Sequence, residues 1–174
     1  MPAEQGGHLL LYAKSMTNDV QSQLDFIAKQ EELLQFDSFD LTTAVALGQA
    51  ILKTAQERSL PVIIDVRKGD DCLFFAALPG TTPANADWAR RKRNLVNLLE
   101  QSSYAIGLQG KAGSDVVAMM ALDPRDYTAH GGCFPIRVRG TGMVGTVTVS
   151  GLPQKEDHAL VVEAIAKILG VEVA

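Results

Sequence analysis

A chain of 174 residues, 47% hydrophobic and 21% charged, is long enough for one soluble domain with a full core. Its net charge of −4 offers no general attraction to nucleic acid or to an anionic membrane, and no apolar run approaches the length of a membrane span. Two cysteines, Cys72 and Cys133, cannot build a disulfide framework, and the early apolar run from Leu9 to Ala13 is too short for a signal-peptide core, so a cytoplasmic protein without a targeting segment is expected.

Residues 1–17 have no clear period and hold Gly6, Gly7, Ser15 and Thr17, which predicts a mobile arm or an added strand ahead of a single domain over residues 18–174. Val20, Leu24, Ile27 and Leu34 fall at helical spacing, predicting a helix from Asp19 to Leu34. Phe36 to Asp40 reads as a connector, with Asp40 as the N-cap of the next helix. That helix carries Leu41, Ala44, Val45, Gly48, Ile51, Leu52 and Ala55 on one stripe. Gly48 weakens it by about 1 kcal/mol relative to Ala, so the glycine implies close approach of another element.

Pro61 ends this unit and a hairpin follows. With Gly69-Asp70 as a two-residue type II′ turn, Val66 faces Leu73, Ile64 faces Phe75 and Val62 faces Ala77 on one apolar face. Asp65, Arg67, Cys72, Phe74 and Ala76 fall on the other. Thr82-Pro83 then reads as N-cap and first residue of a helix running to about Gln101, with Trp88, Leu95, Leu98 and Leu99 on its buried side. Residues 102–113 read as a loop, and Val116 to Leu122 as a strand or a short helix. A second hairpin is expected around Thr141-Gly142, pairing Val138 with Gly145, Ile136 with Val147 and Phe134 with Val149. Gly145 there leaves a gap for backbone or ligand. A last helix starts near Pro153, with Leu160, Val161, Ala164, Ile165, Ile168 and Leu169 as its stripe. Hairpins joined by helices predict an α+β domain with an antiparallel sheet. The string Gly140-Thr-Gly-Met-Val-Gly145 matches a dinucleotide fingerprint in letters only, because it lies in a hairpin and opens no helix.

Several motifs in order, with matching spacers, resemble one family. They are Gly131-Gly132-x-x-Pro135-Ile136, then Gly140, Val144-Gly145, Val149-Ser150-Gly151 and Asp157. They resemble the haem-degrading, GlcG-like domain family. LPGTTP at 78–83, Asn85, Trp88, Arg91-Lys92-Arg93-Asn94, His130-Gly-Gly-Cys-Phe-Pro135 and the run from Ser150 to His158 resemble its UPF0303 branch. The resemblance covers roughly residues 25–170. It implies a profilin-like fold with a central antiparallel sheet flanked by helices, homo-oligomeric assembly, and haem or corrinoid as cofactors of some relatives. It does not imply one reaction, and it carries no haem ligand onto a numbered residue.

Candidate chemistry gathers at four places. His130 and Cys133 form an H-x-x-C spacing, open to a ligand role, a Cys nucleophile with a base, or plain packing; no second Cys/His pair completes a metal set. His158 stands near the start of the last helix, where a cation is disfavoured by the helix dipole, so a site or a subunit contact is expected. Thr81 and Thr82 precede a helix carrying Arg90 to Arg93 and offer an anion site or simple capping. Those four cations span a full turn, so at least one must point inward. Asp65, Arg67, Arg137 and Arg139 share the less apolar sheet faces and meet if both hairpins lie in one sheet, as an anchor for a propionate or phosphate or as a structural ion-pair cluster. The expectation is a homo-oligomeric binding module for a small anionic or haem-like ligand, with neither nucleic acid nor membrane as partner. The rivals are an enzyme acting on such a ligand and a protein-interaction scaffold.

Overall fold

Five strands and six helices follow one another in the computed structural model, which describes the backbone of residues 5–173 and the side chains of residues 19–173. Helix α1 (Gln5–Leu33) leads into a two-residue strand β1 (Gln35–Phe36) and helix α2 (Leu41–Glu57). The hairpin β2 (Ile63–Lys68) and β3 (Asp71–Ala77) precedes α3 (Pro83–Leu99), α4 (Ser103–Lys111) and the single turn α5 (Val116–Met119). The hairpin β4 (Cys133–Val138) and β5 (Gly142–Ser150) ends in α6 (Gln154–Leu169). The sheet order is β1-β4-β5-β2-β3, antiparallel except for the parallel β1–β4 pair. This is the expected α+β architecture, with both hairpins in one sheet and β5 against β2.

The two sheet faces differ in kind. Ile64, Val66, Phe134, Ile136, Val147 and Val149 are buried on one face in a core shared with Leu47 and Ile51 of α2 and Val161 and Ile165 of α6. Asp65, Arg67, Cys133, Thr146 and Thr148 lie on the other, which α3 covers. Burying an aliphatic side chain contributes about 1.5–3 kcal/mol, so the first face holds the domain together and the second is free to carry polar groups.

Local signals behave as their chemistry requires. The Asp40 carboxylate accepts the Thr43 N–H at 2.8 Å and caps α2. Thr82 caps α3, with Asn85 Oδ1 accepting the Thr82 N–H at 2.8 Å and Pro83 at the first helical position. Gly48 does permit close approach: a Cβ there would fall 2.2 Å from the Phe74 ring.

Four expectations are corrected. Residues 5–17 continue α1 as helix, so no added strand forms over them; residues 1–4 lie outside the described residues. Phe36 belongs to β1, because its backbone pairs with β4 while its ring is buried edge-on to Phe39. Residues 103–111 form α4 where a loop was expected. Ser102 caps it, and the missing side chain of Gly107 lets it sit against Ala129, whose carbonyl oxygen would be 2.2 Å from a Cβ. Leu41 and Leu98 are exposed, and Leu47 and Val96 take the buried positions on α2 and α3.

Both hairpins also shift register. Around Gly69-Asp70, Arg67 faces Cys72 as expected, but a bulge then sets Val66 against Phe74 and Asp65 against Phe75. The extra residue turns Phe74 toward Gly48 and leaves Phe75 half exposed on the outer face. In the second hairpin the turn is Arg139 to Thr141, and Ile136 rather than Val138 faces Gly145. Over Cys133–Ile136 this is a slip of two, which keeps those side chains on their faces, but a bulge at Val144 then sets Arg137 against Met143 and Val138 against Gly142 and brings Val144 onto the core. The gap at Gly145 is filled by backbone: a Cβ would lie 2.0 Å from the Arg67 carbonyl oxygen.

Candidate functional site

The first half of α3, the end of β5, the turn into α6 and His130 line an open cleft of about 330 Å³. Its floor is an ion pair that folding has taken out of water. Lys92 Nζ donates to Asp157 Oδ2 at 2.8 Å and to the Val149 carbonyl at 3.2 Å, and both residues are buried. Asp157 Oδ1 also accepts the Leu152 N–H at 3.0 Å. Burial lifts the Asp157 carboxyl above the usual carboxylate range, and Lys92 opposes that lift. Gly132, at φ +127°, makes room for the pair: a Cβ would sit 2.4 Å from the Val149 carbonyl oxygen and 2.8 Å from Lys92 Nζ. The glycine pair before β4 is therefore the seat of a buried salt bridge.

His130 stands at the mouth of this cleft with its ring exposed to solvent. Thr128 Oγ1 lies 2.8 Å from its Nδ1, which leaves Nε2 as the nitrogen open to another partner. The imidazole meets Trp88 edge-on at 4.8 Å, and the Arg91 guanidinium stacks on the same indole at 4.0 Å. Partial burial depresses the His130 pKa below the ordinary imidazole value, and the positive charges of Lys92, Arg91 and Lys111 depress it further. Both effects favour the neutral imidazole over the imidazolium. Trp88 and Gln154 are among the cleft residues the sequence did not single out as a site, and Lys92 was offered only as one of the basic run on α3. The signal for Lys92 was indirect, in a basic run too long for one helix face.

The other candidates are placed elsewhere. His158 is 4% exposed, with Nε2 2.9 Å from Gln30 Oε1 and its ring against Tyr104 and Phe134. Its Nδ1 has no hydrogen-bond partner, and burial pushes its pKa down to about 4. Cys133 is fully buried, its thiol 3.1 Å from Thr148 Oγ1 and its pKa pushed up to about 12 by burial, far from the thiolate a nucleophile needs. The H-x-x-C pair therefore does not converge on one cavity.

Asp65 does meet Arg67, at 3.0 Å, and the second cation beside it is Arg93 of α3. Arg137 and Arg139 stay apart from that cluster: Arg137 donates to the Glu100 carbonyl and Arg139 pairs with Asp37. Thr81 Oγ1 donates to the Leu78 carbonyl at 2.8 Å and Thr82 is spent on the cap, so neither hydroxyl is free for an anion. The cations of α3 are likewise engaged within the domain. Arg90 bonds Asp87, Asp126 and the Arg125 carbonyl, and Asn94 bonds the Asp126 carbonyl at 2.9 Å, which straps the turn at 123–127 onto α3. Among the described residues no cluster of three or more His, Cys, Asp or Glu side chains could hold a metal ion, and no helix is long and apolar enough to cross a membrane.

Residues 39–166 match the family described as haem degrading protein, HbpS-like. A UPF0303 protein of Azotobacter vinelandii is 51% identical over 152 residues, spanning 87% of this chain and 92% of that protein. A UPF0303 protein of Rhizobium etli is 52% identical over 150 residues, spanning 86% and 92%. Among solved structures, the crystal structure of Ybr137w protein superposes with a TM-score of 0.77 at 27% identity, covering 84% of this chain and 87% of that one. The PduOC:heme complex superposes with a TM-score of 0.65 at 15% identity over 74% and 94%, a likeness of fold alone. The chain belongs to the HbpS-like family, and within it to the UPF0303 proteins.

Proposed function

We propose that this UPF0303 member of the HbpS-like family is a binding module for a small anionic, tetrapyrrole-like ligand, held beside Trp88 with His130 as its coordinating group. One observation carries the reading. His130 is an exposed imidazole at a cleft mouth, with one nitrogen held by Thr128 and the other open. The Thr128 hydroxyl can accept from Nδ1–H, and in that tautomer the lone pair lies on Nε2, the form a metal centre needs. The residues fit a haem-like group on one side. The flat Trp88 indole stands 4.8 Å from the imidazole, and the positive field of Arg91, Lys92 and Lys111 suits carboxylate substituents. When bound, such a group would supply redox or ligand-exchange chemistry at its metal. The chain's own part is to present Nε2, to orient the ring and to shield one face from water. His158 drops out as a ligand because Gln30, Tyr104 and Phe134 close over it.

The family description names haem degradation and one structural neighbour is a haem complex; both support the ligand class. In this reading residues 18–174 are one binding domain of a cytoplasmic homo-oligomer, and the free thiols Cys72 and Cys133 suit a reducing compartment. Titrating haemin into the purified protein while recording the Soret band is the test. Saturation at one haemin per chain, lost in His130→Ala, is expected. A titration that never saturates, or a His130→Ala spectrum identical to wild type, overturns the proposal.

A further inference from the structure

Beside the first cleft lies a second hollow of about 420 Å³, and the two share His130 and Gln154 in their walls. The second is walled by Ile106 on α4, Val117 on α5, and Pro124 and Tyr127 of the strapped turn. Its rim carries Lys111 and Asp115. The two charges are not equivalent. Asp115 is committed as the cap of α5, accepting the Ala118 N–H at 3.1 Å. Lys111 has no ion pair among the described residues, whereas the cations of the neighbouring helix are all engaged. Lys111 also lies close enough to His130 to act on it electrostatically. Its place in the last turn of α4 suits a cation on dipole grounds, but that leaves the apolar hollow beside it unexplained.

We propose that this hollow is the second half of the ligand site, and that it takes the apolar body of an anionic amphiphile whose acid group pairs with Lys111 while its other end reaches His130. The inference rests on the reading of the His130 cleft as a ligand site and narrows the ligand to one with an apolar body and an acidic edge. An apolar surface beside an uncommitted cation selects such a molecule over a small polar anion, which would gain nothing from Val117, Pro124 and Tyr127.

The probe is 1-anilinonaphthalene-8-sulfonate, with uncharged N-phenyl-1-naphthylamine as its partner. Trp88 is the single tryptophan of the chain, so energy transfer from it reports occupancy next to His130. The sulfonate is expected to gain emission and quench Trp88. Lys111→Glu should weaken the sulfonate by about fivefold and leave the uncharged probe nearly unchanged. Val117→Glu should weaken both by about tenfold. Lys111 is exposed and Val117 half-buried, so both variants should fold, which an unchanged circular dichroism spectrum checks. Sulfonate affinity indifferent to both variants overturns the proposal, even if haemin still coordinates His130. Sulfonate binding that depends on both residues upholds it, even if haemin does not bind.

Discussion

His130 exposes its ring at a cleft mouth beside Trp88, whereas His158 lies 4% exposed between Gln30, Tyr104 and Phe134. Both were candidates on the same chemical ground. What separates them is two helices. α1 supplies Gln30 and α4 supplies Tyr104, and together they seal the start of α6 on one side. On the cleft side the same start of α6 faces the buried Lys92–Asp157 pair and stays open above it. One end of one helix thus has a closed side that organises the fold and an open side that can meet a ligand. The open side costs the fold a buried charge pair, and the closed side leaves a ring nitrogen unpaired.

The sharpest way to break this contrast is to remove the charge beneath the cleft. Asp157→Ala leaves Lys92 buried and unpaired and should lower stability by roughly 3–5 kcal/mol in urea unfolding. A loss below about 1 kcal/mol would mean that the pair is not what holds the cleft floor. The next effect belongs to the closed side and depends on pH. An unfolded chain protonates His158 near 6.5, while the folded chain resists until about 4. Its contribution is therefore fully present above pH 6.5 and is lost as the pH falls toward 4, by roughly 3 kcal/mol. The raised Asp157 carboxyl acts in the opposite sense at acid pH, so the informative quantity is wild type minus His158→Gln, which should fall across that window. A difference that stays flat would show that His158 titrates normally. The thiols give a smaller contrast: in native protein Cys72 should react with a disulfide reagent while Cys133 reacts only on unfolding. Equal reaction of both would mean the sheet face under α3 opens readily. The smallest effect is at the open site, where His130→Ala should change stability by no more than about 0.5 kcal/mol, since the ring is exposed and only the Thr128 hydrogen bond and the edge contact with Trp88 are lost.

How much of this was legible follows from the range of each signal. Caps and turn residues act on their near neighbours, so Asp40, Thr82-Pro83 and Gly48 read correctly. Faces also read through on β2, on β4 and in the second half of β5, but β3 exchanges its faces because the bulge that turns Phe74 inward depends on Gly48 in a different element. α4 was hidden because two glycines and polar residues weaken its helical pattern, and tertiary contact with α1 and Ala129 outweighs that weakness. The site was less legible still. A basic run of four announces a solvated face, and nothing local marks Lys92 as the one that pairs with Asp157 across the sheet edge. Arg137 and Arg139 share the right face with Asp65 but lie on β4 and beyond it, two strands from β2, too far along the sheet to join it.

The claim that only the open histidine serves a ligand is tested most directly by haemin titrations of His130→Ala and His158→Gln run side by side at neutral pH. The account predicts that His158→Gln keeps the wild-type Soret band and stoichiometry, and that His130→Ala loses both. A His130→Ala protein that binds as wild type does, with the band lost in a folded His158→Gln, would contradict it.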